Sequence, residues 1–442
     1  MTNQDIDIQT PSAHDTPPVP REKRKSDKYI WAVYLTLIVV SIVEQYSASS
    51  REITSANVMA PILRHCLLLG IGLVITIAVS RVSYKWFIPL SPVFIVLSVL
   101  AMIYVLINGQ VINGAARSFS LMGIQVQPPE FIKMSSVLFI ALVMSRCQVP
   151  KGVTTRGVVI CGGMVLFFSA LLFSQGLTNT MLMMGISLTM LLIAGIQIKK
   201  FILLLLVYAL AGGIGVYIKI KHGSTEETTL IAETGRDAQG NIATVNRTGI
   251  WKARLERYFG AGDTLQKWQR PIVDANRQEM YAYMAQANGG IIGVGPGNSR
   301  ETARLPLANI DYVYSIVVED TGLVGGLLLL LVYLSLLGRA GALAASCPRI
   351  FPALLIMGMA VYIVLQALCH MAIVTGVFPV SGQPLPLISK GGTSIFVTSI
   401  AFGIMLSVSR YVLHSKSKNQ DTAATDLPEN MQALNPTYLQ KK

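Results

Sequence analysis

About ten stretches of roughly 20 mostly apolar residues follow one another along this 442-residue chain, and no other property limits its fold as tightly. A run of that length crosses a hydrocarbon core of about 30 Å as an α-helix, and in lipid the helix satisfies its own backbone N–H and C=O groups. The approximate spans are 29–46, 58–79, 86–107, 128–144, 158–173, 177–196, 201–218, 311–337, 351–375 and 393–413. With 52% hydrophobic and only 13% charged residues, the chain is too apolar for a soluble multidomain protein of this length. The expected fold is an all-α polytopic membrane bundle of about ten transmembrane helices, occupying residues 29–414 between polar tails at 1–28 and 415–442.

Lys and Arg near the ends of the spans set the orientation. Arg21, Lys23, Arg24, Lys25 and Lys28 precede the first span; Arg81, Lys85, Arg146, Lys151, Arg156, Lys199, Lys200, Arg339 and Arg349 fall in alternate connections, and Arg410, Lys416 and Lys418 follow the last. The other connections hold little beyond Arg51, Arg117 and Lys390, so the positive-inside rule places both tails in the cytoplasm. The loops of Arg117, of residues 219–310 and of Lys390 then face outward. A net charge of +13 is thus a topology signal and a source of attraction to membrane lipid headgroups. Because the charge is spread over many short loops, nucleic-acid binding is excluded. The basic run before the first span resembles a signal peptide, but the apolar run is long and an uncleaved first span is expected. The five cysteines lie in or beside spans, with neither a disulfide framework nor zinc spacing.

The polar tails read as disordered, and the one large extramembrane region is the loop of about 219–310 between the seventh and eighth spans. Within it Trp251, Leu255, Tyr258 and Phe259 share one helical face opposite Lys252, Arg254, Glu256 and Arg257, the pattern of a short helix lying on the membrane surface.

Few residues in so apolar a chain can carry chemistry. Asp311 opens the eighth span, where an acid can cap free amides, or can stay ionised at the outer boundary as a general base. Glu130 and Lys133 in QPPEFIKM share a helix face at i,i+3. They either neutralise each other or line a polar cavity, with Lys133 meeting phosphate alongside Arg117 of GAARSF. Between the ninth and tenth spans, PVSGQPLPLISKGGTS carries three prolines and three glycines, which forbid regular helix and require a looped path at membrane depth. Ser389, Lys390, Gly391, Gly392, Thr393 and Ser394 there set a cation, amides and hydroxyls at a helix start, suited to pyrophosphate; the alternative is a tight turn. GVGPGN has no βαβ unit around it and is not a dinucleotide loop. Glu319 and Asp320 lie about two turns inside the eighth span, where acids need polar partners or a cavity. His370 reads as a packing histidine.

Four segments together, GAARSF with QPPEFIK, GGIIGVGPGNS, LPLANIDYVYSIVVEDTG and GQPLPLISKGGTS, resemble the SEDS family (shape, elongation, division and sporulation) of polytopic peptidoglycan glycosyltransferases, typified by FtsW and RodA. The resemblance covers about residues 29–414. It implies polymerisation of lipid II at the outer face of the bacterial cytoplasmic (inner) membrane, at the division septum for FtsW-like members, beside a class B penicillin-binding protein and divisome membrane proteins. By motif position Asp311 matches the family's essential acid and Glu130 with Lys133 its Glu-x-x-Lys pair. Asp311 would deprotonate the acceptor 4-hydroxyl while Lys133, Arg117 and Lys390 stabilise the leaving pyrophosphate. No cofactor is required, although a divalent cation, Mg or Mn, could share that task. The chain departs from the family pattern at Asn309 and Ile310, where His-Thr is usual, at Lys390, where Tyr is usual, and at 176–180, where Pro-Asp-x-Gly-Thr is usual; Glu301 is the nearest match for a further acid. A RodA-like elongation role, a lipid II flippase and a non-catalytic scaffold are the competing readings.

Overall fold

The computed structural model describes residues 26–48, 60–108, 110–112, 115–121, 124–150, 152–173, 176–221, 269–273, 276–305 and 308–425. The amphipathic stretch from Trp251 to Phe259 lies outside them, as do residues 1–25 and 426–442 of the tails.

Each apolar run becomes a helix. In chain order these are α1 (Lys28–Ala48), α2 (Ala60–Arg81), α3 (Phe87–Asn108), α4 (Pro128–Arg146), α5 (Thr155–Phe173), α6 (Leu177–Ile193) and α7 (Ile198–Lys221). After the large loop come α8 (Arg277–Gly289), α9 (Val313–Ala345), α10 (Ile350–Val374) and α11 (Gly392–Thr425). Among the described residues nine helices are long and apolar enough to cross a membrane, and α6 is a shorter apolar helix of 17 residues. They coincide with the ten spans expected, so the chain is a multi-pass membrane protein.

Burial divides the bundle. In α4, α10 and α11, 78% of the apolar window is buried, against 22% in α2 and α3 and 6% in α7, so the first three form the core and the rest face lipid. Small residues let the core close: a Cβ on Gly72 of α2 would come within 2.6 Å of Ser399 Oγ on α11, and one on Gly358 of α10 within 2.5 Å of Val137 on α4. At the basic end, Asp27 caps α1 by accepting from the amides of Tyr29 (3.0 Å) and Ile30 (3.1 Å). Its carboxylate also receives Arg339 of α9, whose guanidinium lies 4.7 Å above the Tyr29 ring.

At the opposite end, GAARSF is not irregular. It forms β2 (Ala115–Leu121), flanked by β1 (Gln110–Ile112) and β3 (Ile124–Val126) in a three-stranded antiparallel sheet of order β1-β2-β3. The sheet delivers the chain to Pro128 and Pro129, which start α4 in the first-turn positions where proline's missing N–H is harmless.

α9 is broken inside. Gly322, at φ 72° and ψ −176°, leaves helical geometry, and the glycine-rich segment after α8 fills the break. The amides of Val294 and Gly295 donate to the carbonyls of Glu319 (3.0 Å) and Asp320 (2.9 Å), while the amides of Leu323 and Val324 donate to Gly290 (2.9 Å) and Ile291 (3.2 Å). The loop supplies the partners that the helix lost, as buried backbone requires. This approach forbids side chains: a Cβ on Gly293 would lie 2.3 Å from the Asp320 carbonyl oxygen, and one on Gly322 would lie 2.2 Å from that of Ile291.

Candidate functional site

Asp311 sits in the turn before α9, one residue ahead of the N-cap position, since the helix starts at Val313 with Tyr312 as its N-cap. The turn is set by tertiary contacts: the carbonyl of Asn309 accepts from the Lys390 amide (2.8 Å), and that of Ile310 from the Ser389 hydroxyl (2.6 Å). The turn is thereby held against the loop between α10 and α11. The Asp311 carboxylate packs on Gly382 of the same loop, where a Cβ would meet its two oxygens at 2.9 and 3.1 Å. Two motifs 79 residues apart at the Ser389–Ile310 bond thus form one hydrogen-bonded seam, one bond from a backbone amide and one from a side-chain hydroxyl, with a partly buried carboxylate at its edge.

Behind the seam runs a buried polar chain. Lys133 Nζ lies 2.7 Å from Glu130 Oε1 with both side chains buried, and it also donates to Gln366 Oε1 at 3.3 Å. The Tyr362 hydroxyl donates to the other Glu130 oxygen (2.9 Å), and the Gln366 amide reaches the Pro384 carbonyl (3.5 Å). Burial of such a pair is tolerated only when the remaining hydrogen-bonding sites are filled, and Tyr362 and Gln366 fill them. Lys133 is therefore already engaged, and its charge reaches the loop through Gln366.

The rest of the loop is braced in the same way. His370 Nδ1 lies 2.6 Å from the Gln383 carbonyl oxygen, which can only accept, so the ring carries its proton on Nδ1. The Gln383 amide donates to Asn179 of α6 at 3.1 Å, in the 176–180 segment. Thr393 donates to the Gln125 carbonyl (2.5 Å) and accepts from the Gln127 amide (3.1 Å), fixing the start of α11 against the passage from β3 into α4. Gly391 and Gly392 carry the chain into α11, and buried Ser394 Oγ has no partner among the described residues. Arg117 lies on β2, outside the residues whose side chains are described.

Glu319 and Asp320 are both buried, some distance along α9 from Asp311. Glu319 organises the glycine-rich loop: it accepts from Ser299 Oγ, the Arg300 amide (3.0 Å), the Glu301 amide (3.4 Å) and Asn288 (3.4 Å). Glu301 pairs with Arg304 at 3.5 Å. Among the described residues no group of three or more His, Cys, Asp or Glu could hold a metal ion.

Tyr362, Gln366, Gln383 and Gly382 did not stand out in the sequence as site residues. A detectable signal existed for one of them, since Gln366 interrupts an otherwise apolar span and a polar residue there marks a partner or cavity.

Residues 27–414 match the FTSW_RODA_SPOVE family model, described as cell cycle protein. The chain is 27% identical to stage V sporulation protein E of Bacillus subtilis, covering 88% of this chain and 98% of that one. It is 27% identical to a probable peptidoglycan glycosyltransferase FtsW of Enterococcus hirae, covering 92% and 98%. Among solved structures it matches a chain described under structural coordination of polymerization and crosslinking by a peptidoglycan synthase complex, with TM-score 0.65, 22% identity and coverage of 87% and 98%. It also matches the rod shape determining protein RodA of Thermus thermophilus, with TM-score 0.58, 20% identity and coverage of 87% and 97%.

Proposed function

From the fact that this chain belongs to the FtsW, RodA and SpoVE family, we propose that it is a peptidoglycan glycosyltransferase that polymerises lipid II, with Asp311 as general base. The observation that carries this reading is the seam itself. Asp311 lies just outside the membrane-spanning part of α9, the two carbonyls before it held by Ser389 and Lys390 and its carboxylate seated on Gly382. A general base needs a fixed position, and this half-buried carboxylate has a rigid backing.

In the reaction, a carboxylate oxygen of Asp311 takes the proton of the acceptor sugar's 4-hydroxyl as that oxygen attacks the anomeric carbon of the donor. The bond to the undecaprenyl pyrophosphate breaks, the electron pair leaves with it, and configuration inverts. Negative charge then grows on the leaving group, and Lys390, whose backbone is tied to the turn before Asp311, is the candidate cation, with the N-terminal end of α11 beside it. Arg117 is the second candidate cation. Lys133, neutralised by Glu130, acts at one remove by holding Gln366 and the loop. The chain itself offers no cluster for a metal ion among the described residues, and a Mg²⁺ or Mn²⁺ requirement would be met through substrate phosphate oxygens.

The finer assignment is a septal role in division with a class B penicillin-binding protein as partner. It is supported by the FtsW and sporulation relatives and by the synthase-complex neighbour. The test is lipid II polymerisation by purified protein with its cognate transpeptidase. Asp311→Asn and Asp311→Ala, at equal folded yield, are expected to lower the rate by about 100- to 10,000-fold, the range for a lost general base. Chains formed at the wild-type rate by either variant would remove Asp311 as the base. A wild type that makes none favours a flippase or scaffold.

A further inference from the structure

The loop that backs Asp311 contains a strained residue. Leu387, fully buried, is the one non-glycine residue with positive φ (64°) among the described residues. Such a backbone persists only where its surroundings over-determine it. Two helices do so. The buried Tyr333 hydroxyl of α9 donates to the Pro386 carbonyl at 2.6 Å. From α1, the Ser41 hydroxyl lies 2.8 Å from the Leu387 carbonyl and 3.4 Å from that of Ile388.

Ser41 has one hydrogen to give, and the carbonyls can only accept it. The buried His65 of α2, whose Nε2 is 2.8 Å from Ser41 Oγ, must therefore be the donor in that contact. Its proton sits on Nε2, and Nδ1 has no partner among the described residues. The order is His65 to Ser41 to Leu387, with Tyr333 clamping the preceding carbonyl. Two residues further on, Ser389 and Lys390 hold the carbonyls of Asn309 and Ile310, immediately before Asp311.

We propose that His65, Ser41 and Tyr333 are positioning residues, which fix Asp311 and the Lys390 backbone for reaction by holding the turn at Leu387 in its strained form. This rests on the glycosyltransferase reading for its effect on rate, but not for its effect on the loop. The three bond to one another or to the turn at Leu387, so removing one should displace the base without removing it. A misplacement of about 1 Å can cost up to about 100-fold in rate.

The experiment compares His65→Leu, His65→Gln and Tyr333→Phe in the full-length protein with its transpeptidase, at matched folded yield. His65→Leu and Tyr333→Phe are expected to lower kcat by about tenfold or more, with KM for lipid II within about twofold, as for a group acting on the chemical step. His65→Gln, whose amide reaches the place of Nε2, should restore most of the loss. Independently of turnover, amide hydrogen exchange in segments 308–312 and 385–391 should rise together in His65→Leu and fall back in His65→Gln. Wild-type kcat and unchanged exchange in His65→Leu and Tyr333→Phe would overturn the proposal. So would a loss in His65→Leu that His65→Gln fails to restore. If exchange responds as expected while even wild type makes no glycan, the positioning stands and the polymerase reading fails.

Discussion

Two loops interrupt the helical order of this membrane protein, and they satisfy their backbones by opposite means. The glycine-rich segment after α8 trades main-chain hydrogen bonds directly with the broken α9, amide for amide and carbonyl for carbonyl. The loop between α10 and α11 is held mostly by side chains: Tyr333 of α9 and Ser41 of α1 reach in from other helices, and His370 and Gln366 reach back from α10. The first arrangement needs glycine and leaves no room for adjustment. The second is assembled from several helices, and each brace can be tuned by one side chain, which suits a loop that must set a carboxylate within a fraction of an ångström.

The contrast can be broken most severely at Gly293. With φ at 91° and a would-be Cβ 2.3 Å from a backbone oxygen, Gly293→Ala is expected to leave no monodisperse folded protein on gel filtration in detergent. Next in size is Lys133→Met, which strands a buried Glu130 and should cost about 3–5 kcal/mol, read from the thermal unfolding midpoint; adding Glu130→Gln should recover much of it. At Gly382 the same glycine-to-alanine change has a different outcome. The new methyl meets side-chain atoms of Asp311, not backbone, so folding should persist while polymerisation falls by up to about 100-fold. Should Gly382→Ala unfold the protein, the distinction between the two loops is lost. The smallest effect is expected for Glu319→Gln, which weakens hydrogen bonds to a charged group by about 1.5–3 kcal/mol and should loosen residues 299–301 in hydrogen exchange, with the remaining backbone exchange in place.

The existence of ten helices, their order and the long loop were legible in the sequence, because a bilayer imposes length and apolarity on any helix that crosses it. So was the need for irregular backbone between the ninth and tenth spans, since Pro379, Pro384 and Pro386 cannot continue a helix, although the irregular path ends before Gly392, where α11 begins. Asp311, Glu130 and Lys133 were legible as chemistry because ionisable groups are rare in so apolar a chain. What they touch was not legible. Local rules gave Asp311 a capping role, yet the turn is committed to Ser389 and Lys390, and Tyr312 occupies the N-cap. Likewise Glu319 needed a polar partner or a cavity, and which of the two was not legible; its oxygens face the loop at 299–301, beside the break at Gly322. Spans, apolar faces and breakers follow from local composition and the solvent. The seam around Asp311 and the braces at Leu387 join residues from about 50 to about 350 positions apart, and such contacts are decided only when helices pack and each buried polar group must find a partner.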